Sequence, residues 1–177
     1  MGKRSDFERE RFDFYPTPYK AVKPLFRFLP PEVKYCEPCA GGGDLIRHLG
    51  SEKHKCVASY DINPQQMWIE KHDAAFLTVY DLKGADYIIT NPPWEREPLH
   101  QIIERCATLK PTWLLFDADW AFTRQARPYL TICRQIVSVG RVKWIEDSDM
   151  TGKDNCCWYL FDAMGSPHAT VFYNGEA

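Results

Sequence analysis

Short apolar runs alternate along the chain with stretches whose apolar positions recur at helical spacing. Runs at 33–36, 55–60, 76–80, 86–90, 112–117, 135–144 and 156–161 predict strands, and 170–173 predicts a last edge strand. Thr112–Asp117 is apolar almost throughout, as in a parallel strand covered on both faces. Helices are predicted between them. Over 18–28, Val22, Leu25, Phe26 and Leu29 give an apolar face that stops at Pro30-Pro31. Asp44 leads Leu45, Ile46 and Leu49. Asn63-Pro64 caps a helix over 64–70. Leu99, Ile102, Ile103 and Cys106 share a face over 97–108, and a further helix covers 121–130. The alternation predicts an α/β fold with a mainly parallel sheet. Ligands of such sheets bind at the carboxyl ends of the strands, which brings Glu37, Gly41, Asp61 and Asn91 to one edge.

Composition narrows the class. The 177 residues suit a single domain spanning 1–177, with 1–12 as a flexible arm, and 45% hydrophobic residues exclude a disordered chain. No apolar run approaches the roughly 20 residues that cross a bilayer, and the N-terminus lacks a signal-peptide core. The seven cysteines are odd in number and irregularly spaced, which fits reduced thiols in a cytoplasmic protein. Cys36 and Cys39 form a Cys-x-x-Cys pair without a second pair, and the histidines have no ligand spacing, so no metal is expected. The net charge of −2 and the isoelectric point near 6.2 require any positive patch to be local.

Two segments carry chemistry. Val33–Leu49 reads as strand, glycine-rich loop and helix, with Gly41, Gly42 and Gly43 permitting positive φ and close approach of a ligand. Asp61, 20 residues after Gly41, suits hydrogen bonding to a ribose diol. The loop lacks Gly-x-Gly-x-x-Gly and Gly-Lys-Ser/Thr, and Glu37, Asp44, Asp61 and Asp73 surround it. A cationic ligand fits such a loop better than a polyphosphate. In the second segment, the apolar run Tyr87–Thr90 enters Asn91-Pro92-Pro93-Trp94. The prolines lock the turn. The Asn91 side-chain oxygen and the Pro92 carbonyl can accept from one planar amine, and Trp94 offers a face for stacking.

Together these motifs resemble S-adenosylmethionine-dependent DNA N6-adenine methyltransferases. Glu37-Pro38-Cys39-Ala40-Gly41-Gly42-Gly43 is similar to their cofactor loop, and Asn91–Trp94 to their catalytic loop. Asp13-Phe14-Tyr15-Pro16-Thr17-Pro18 resembles the N-terminal motif of the gamma order, as in small phage and prophage forms. The resemblance covers about residues 12 to 120. It implies a Rossmann-like class I methyltransferase with a mainly parallel, seven-stranded sheet carrying one antiparallel strand. The implied cofactor is S-adenosylmethionine. Tyr15, Pro16 and Thr17 would close over its methionine end, and the loop from Glu37 through Gly41 to Gly43 would lie beneath it. Asp61 and Ile62 would meet its ribose and adenine, Asp73 and Ala74 would flank the adenine, and Asn91 would border it. Asn91, Pro92, Pro93 and Trp94 would be catalytic and DNA the acceptor.

Alternatives stay open at several points. Asp81 competes with Asp73. Asp117–Trp120 either shapes the substrate entrance or caps the next helix. Arg124 and Lys153 are candidate nucleic-acid contacts. RNA adenine and protein glutamine offer similar planar amines, and a binding module without turnover is a third class. Little chain remains for a target-recognition region, so a specificity partner is a further expectation.

Overall fold

The computed structural model describes residues 15–144, 152, 154–166 and 169–175. The arm at 1–12 and Lys153 lie outside them. An eight-stranded sheet runs in the order β3-β2-β1-β4-β5-β7-β6-β8. The strands are β1 (Lys34–Glu37), β2 (Lys55–Asp61), β3 (Glu70–Lys71), β4 (Tyr87–Thr90), β5 (Thr112–Asp117), β6 (Cys133–Arg141), β7 (Asn155–Phe161) and β8 (Val171–Tyr173). Only β7 runs antiparallel, pairing with β5 on one side and β6 on the other. Among the described residues the α-helices are α1 (Tyr19–Val22), α2 (Asp44–Ser51), α3 (Arg96–Ala107) and α4 (Arg127–Leu130).

Period-two alternation distributes the central strands between two apolar layers. Cys36, Ile88, Leu114, Phe116, Cys157 and Tyr159 join Leu99, Ile102, Ile103 and Cys106 of α3 on one face. Tyr35, Ile89, Trp113, Leu115, Cys156 and Trp158 join Leu45 and Leu49 of α2 and Ala21, Val22 and Leu25 on the other. Burial on both faces explains why these strands read as unbroken apolar runs. The Trp158 indole N–H donates to the Ala21 carbonyl at 2.8 Å, fastening the N-terminal segment to the sheet.

Several local expectations fail, each for a tertiary reason. The helix expected over 18–28 is α1 followed by a 3₁₀ segment, Lys23–Phe28. Pro24 has no N–H to continue an α-helical ladder. The helix expected over 64–70 is absent. There the Gln65 N–H donates to the Gly41 carbonyl at 3.1 Å, Ile69 is buried, and Glu70–Lys71 adds β3 beside β2. The strand expected at 76–80 is a 3₁₀ turn, Ala74–Phe76, followed by further turns. Leu77 and Leu82 anchor it while Val79 and Tyr80 face solvent. The helix expected over 121–130 is divided into Ala118–Phe122, Arg124–Ala126 and α4. Asp117 and Thr123 side chains accept the N–H groups of Asp119 and Ala126 and restart the chain at each turn. The strand expected over 135–144 is shifted to β6. With β8 outside β6, the sheet has one strand more than the resemblance implied.

Gly43 caps α2 at φ +81°, and a Cβ there would fall 2.5 Å from the Trp68 ring. Gly43→Ala is expected to destabilise the protein by about 1 kcal/mol, lowering Tm by about 2–4 °C. Thermal denaturation checks this, and an unchanged Tm would show that the loop absorbs a side chain freely.

Candidate active site

Parallel β2, β1 and β4 are adjacent, so Asp61, Glu37 and Asn91 emerge at one edge, where strand order reverses between β1 and β4. That reversal opens a crevice, as in other doubly wound sheets. The cleft is open to solvent, with about 980 Å³ of unfilled space between its walls and in its mouth.

Most of the residues expected at the site line this cleft. Tyr15, Pro16 and Thr17 form one wall, and Glu37, Pro38, Cys39, Ala40 and Gly41 form the floor. Asp61 and Ile62 lie at one end with Asp73 and Ala74, while Asn91 and Pro93 lie at the other. Gly43, Pro92 and Trp94 are not part of the lining. Gly43 turns the chain into α2, and Pro92 is buried behind the loop. Asp73 rather than Asp81 borders the cleft. Asp81 folds onto its own turn, accepting from the Thr78 N–H and hydroxyl at 2.7 and 2.6 Å. Asp117 caps its turn, and Trp120 is buried beneath it, so the capping alternative holds for this segment. Arg124 is exposed outside the lining.

Sequence reading missed a second group: Asn63 and Gln65 beside Asp61, and Pro98, Gln101 and Ile102 on α3. The spacing of the α3 set was the available signal, since i, i+3 and i+4 share a helix face.

Among the described residues no lysine, arginine or histidine lines the cleft, whereas Glu37, Asp44, Asp61 and Asp73 do. Asp44 is paired with Arg47. Asp61 accepts from the Gly41 N–H and the Asn63 N–H, both at 2.7 Å, which fixes the glycine loop to β2 and leaves each oxygen a second lone pair. Glu37 is buried, and its Oε2 has no hydrogen-bond partner. Burial, with Asp61 and Asp44 nearby, pushes its carboxyl well above the usual carboxylate range. A buried orphan carboxylate oxygen at the floor of a cleft lined by acids suits a ligand carrying positive charge and N–H or O–H donors. Burial holds the Cys39 thiol well above its ordinary range, so it is a neutral wall group rather than a nucleophile.

At the other end, the Asn91 amide is oriented from both sides. Its Nδ2 donates to Thr17 Oγ1 at 3.2 Å, and its Oδ1 accepts from the Trp94 indole N–H at 3.2 Å. An indole N–H only donates, so the atom facing it is the amide oxygen. Trp94 also meets Trp144 edge-to-face, with ring centroids 5.5 Å apart. Trp94 therefore occupies the acceptor atom of Asn91 in addition to supplying an aromatic surface.

No protein-family model matches the chain, and no curated protein sequence matches it. Solved structures do. A Pyrococcus horikoshii protein described provisionally as an RNA methyltransferase is 12% identical, covers 90% of this chain and 93% of its own, and superposes with a TM-score of 0.65. A Listeria monocytogenes protein, described provisionally as a class I S-adenosylmethionine-dependent methyltransferase, is 12% identical over 88% of this chain and 62% of its own, with a TM-score of 0.51. The methyltransferase subunit of a Streptococcus thermophilus type I restriction-modification system is 7% identical, with 91% of this chain covered and a TM-score of 0.56. The chain spans 46% of that subunit. The fold is the Rossmann-like fold of class I methyltransferases.

Proposed function

We propose that the protein is an S-adenosylmethionine-dependent methyltransferase acting on the N6 amine of adenine in nucleic acid, with DNA as the acceptor. One observation carries this reading. The Glu37–Gly43 and Asn91–Trp94 loops meet across a cleft that is lined by carboxylates and, among the described residues, bare of basic side chains. S-adenosylmethionine supplies an electrophilic methyl group on a sulfonium. Glu37 and Asp61 would hold its polar and charged groups, with Asp73, Ala74 and Ile62 around its adenine and Tyr15–Thr17 along the opposite wall. Asn91 Oδ1 and the Pro92 carbonyl would accept the two amine hydrogens, fix the plane of the amine and draw electron density toward nitrogen. Thr17 and Trp94 fix the rotation of the Asn91 amide, and the amine would share or displace the Trp94 N–H at Oδ1. Positioning of this kind supplies much of the rate in a direct transfer. The amine would attack while still carrying its protons; the methyl–sulfur bond would break to leave the neutral thioether, and the methylated nitrogen would then release one proton to solvent.

RNA adenine is the second reading. The Pyrococcus horikoshii structure matches over nearly its whole length, whereas the type I subunit is about twice as long as this chain. For DNA, a partner supplying sequence specificity is part of the first reading. Transfer of labelled methyl to duplex DNA, single-stranded DNA, RNA and a protein lysate tests the choice. N6-methyladenine in DNA supports the first reading, label in RNA adenine alone supports the second, and label in glutamine alone overturns both.

The Trp94 bond adds a further expectation. Trp94→Phe keeps a ring but frees Asn91 Oδ1. The acceptor KM should fall about 2- to 10-fold, matching a net hydrogen bond of about 0.5–1.5 kcal/mol. A raised KM instead would mean that the indole N–H itself contacts the acceptor.

A further inference from the structure

Resting on the nucleic-acid reading above, we propose that the turn following β5 is a separate polynucleotide contact. In it Phe122 stacks on a base beside the methylated one, and Arg124 and Arg127 hold the flanking phosphates. β5 lies next to β4, with Leu114 opposite Thr90. Asp117 therefore stands three residues, about 10 Å, past the level where the Asn91 loop begins. The turn rises beside the acceptor end of the cleft.

The turn is held from below. The Tyr159 hydroxyl donates to the Asp117 and Ala118 carbonyls at 3.0 and 3.1 Å. Trp120 is buried, and its indole N–H donates to His100 Nε2 at 3.1 Å. The Thr123 hydroxyl donates to the Trp120 carbonyl at 2.8 Å and accepts from the Ala126 N–H at 3.3 Å. On this braced backbone Phe122 is 90% exposed. A free aromatic face on a rigid turn can stack on any base without much loss of conformational freedom.

Charge separates this turn from the exposed Tyr80 and Trp68. Tyr80 is followed by Asp81, and Trp68 stands near Glu70. After Phe122 come Arg124 and Arg127, both exposed and neither in an ion pair among the described residues. Asp119 puts a negative charge on the inner part of the turn, so phosphates are received along 124–127. Drawing a base into the cleft breaks the stack on either side of it, and an aromatic ring at that break replaces part of what is lost.

The test uses fluorescence anisotropy with short labelled DNA duplexes, DNA single strands and RNA, in the presence of S-adenosylhomocysteine. Phe122→Ala, Phe122→Trp and the double variant Arg124→Gln/Arg127→Gln are compared with the unmodified protein at two salt concentrations. Phe122→Ala is expected to weaken binding about 10-fold or more, with Phe122→Trp restoring it. The arginine variant should weaken binding and flatten its salt dependence. Affinity for S-adenosylhomocysteine should stay constant, which shows that the variants are folded. Unchanged polynucleotide binding by the variants, in a protein that methylates nucleic acid, overturns the surface and leaves the reading of the site intact. An unmodified protein that neither binds nor methylates any polynucleotide overturns both.

Discussion

Asn91→Ala is expected to lower kcat by at least about 100-fold, the scale found when one positioned polar group at a reacting centre is removed. Affinity for S-adenosylhomocysteine should change only a few-fold. The asymmetry follows from where the amide sits. Asn91 borders the cleft at its acceptor end, while the carboxylates that suit the cofactor belong to β1, β2 and the Asp73 turn. Pro93 is apolar, and the Pro92 carbonyl can take only one of the two amine hydrogens. Alanine leaves the proline turn unchanged, so fold and cofactor site should survive. Single-turnover rates together with calorimetric titration of S-adenosylhomocysteine separate the two effects. A variant keeping more than a tenth of the activity would remove Asn91 from the chemistry.

Glu37→Gln should have the second-largest effect, with opposite signs on stability and binding. The carboxyl is buried with an unpartnered oxygen, and burial beside Asp61 and Asp44 raises its pKa in the folded protein. A raised folded-state pKa means that the ionised form is disfavoured by folding. The penalty is therefore absent below the unfolded carboxylate range and grows as pH rises through the folded value. Glutamine removes that penalty. The ligand-free variant should melt higher than the parent at pH 7, and the gap should close as the pH is lowered. Cofactor affinity should fall about 10- to 100-fold, since a hydrogen bond to a charged group contributes about 1.5–3 kcal/mol. Equal melting temperatures across the pH range would mean that folding does not shift the Glu37 carboxyl, and an unchanged affinity would mean that it does not touch the ligand.

The parts of the fold legible in the sequence are those whose signal is local. β1, β4, β5 and β7 are short apolar runs because both faces of each are covered, and α3 shows its buried stripe at helical spacing. Glycines at a strand end and an Asn-Pro-Pro turn mark the two loops directly. The segment from Ile62 to Gly84 was not legible. Asn63-Pro64 is a good helix start taken alone, yet the backbone of Gln65 is used to hold the glycine loop and Trp68 packs against Gly43. Long-range packing overrides propensity there. The same holds for the site. Composition pointed to a cleft rich in carboxylates, but the bond from Trp94 to Asn91 depends on side-chain orientation within the turn. The contribution of α3 to the lining depends on how that helix lies across the sheet.

The hydrogen bond between Thr17 and Asn91 joins residues 74 apart in sequence and ties the Tyr15–Thr17 wall to the acceptor end of the cleft. A molecule that presses Tyr15–Thr17 into place also sets the rotation of the amide that receives the acceptor. Thermodynamic linkage then requires the influence to run equally in both directions. If filling the methionine end sharpens affinity for the amine, the bound amine must slow departure of the spent cofactor by the same free energy. A polynucleotide carrying several target sites would then be released more slowly before product exchange than after it, and the order of the two departures would be set by one threonine hydroxyl.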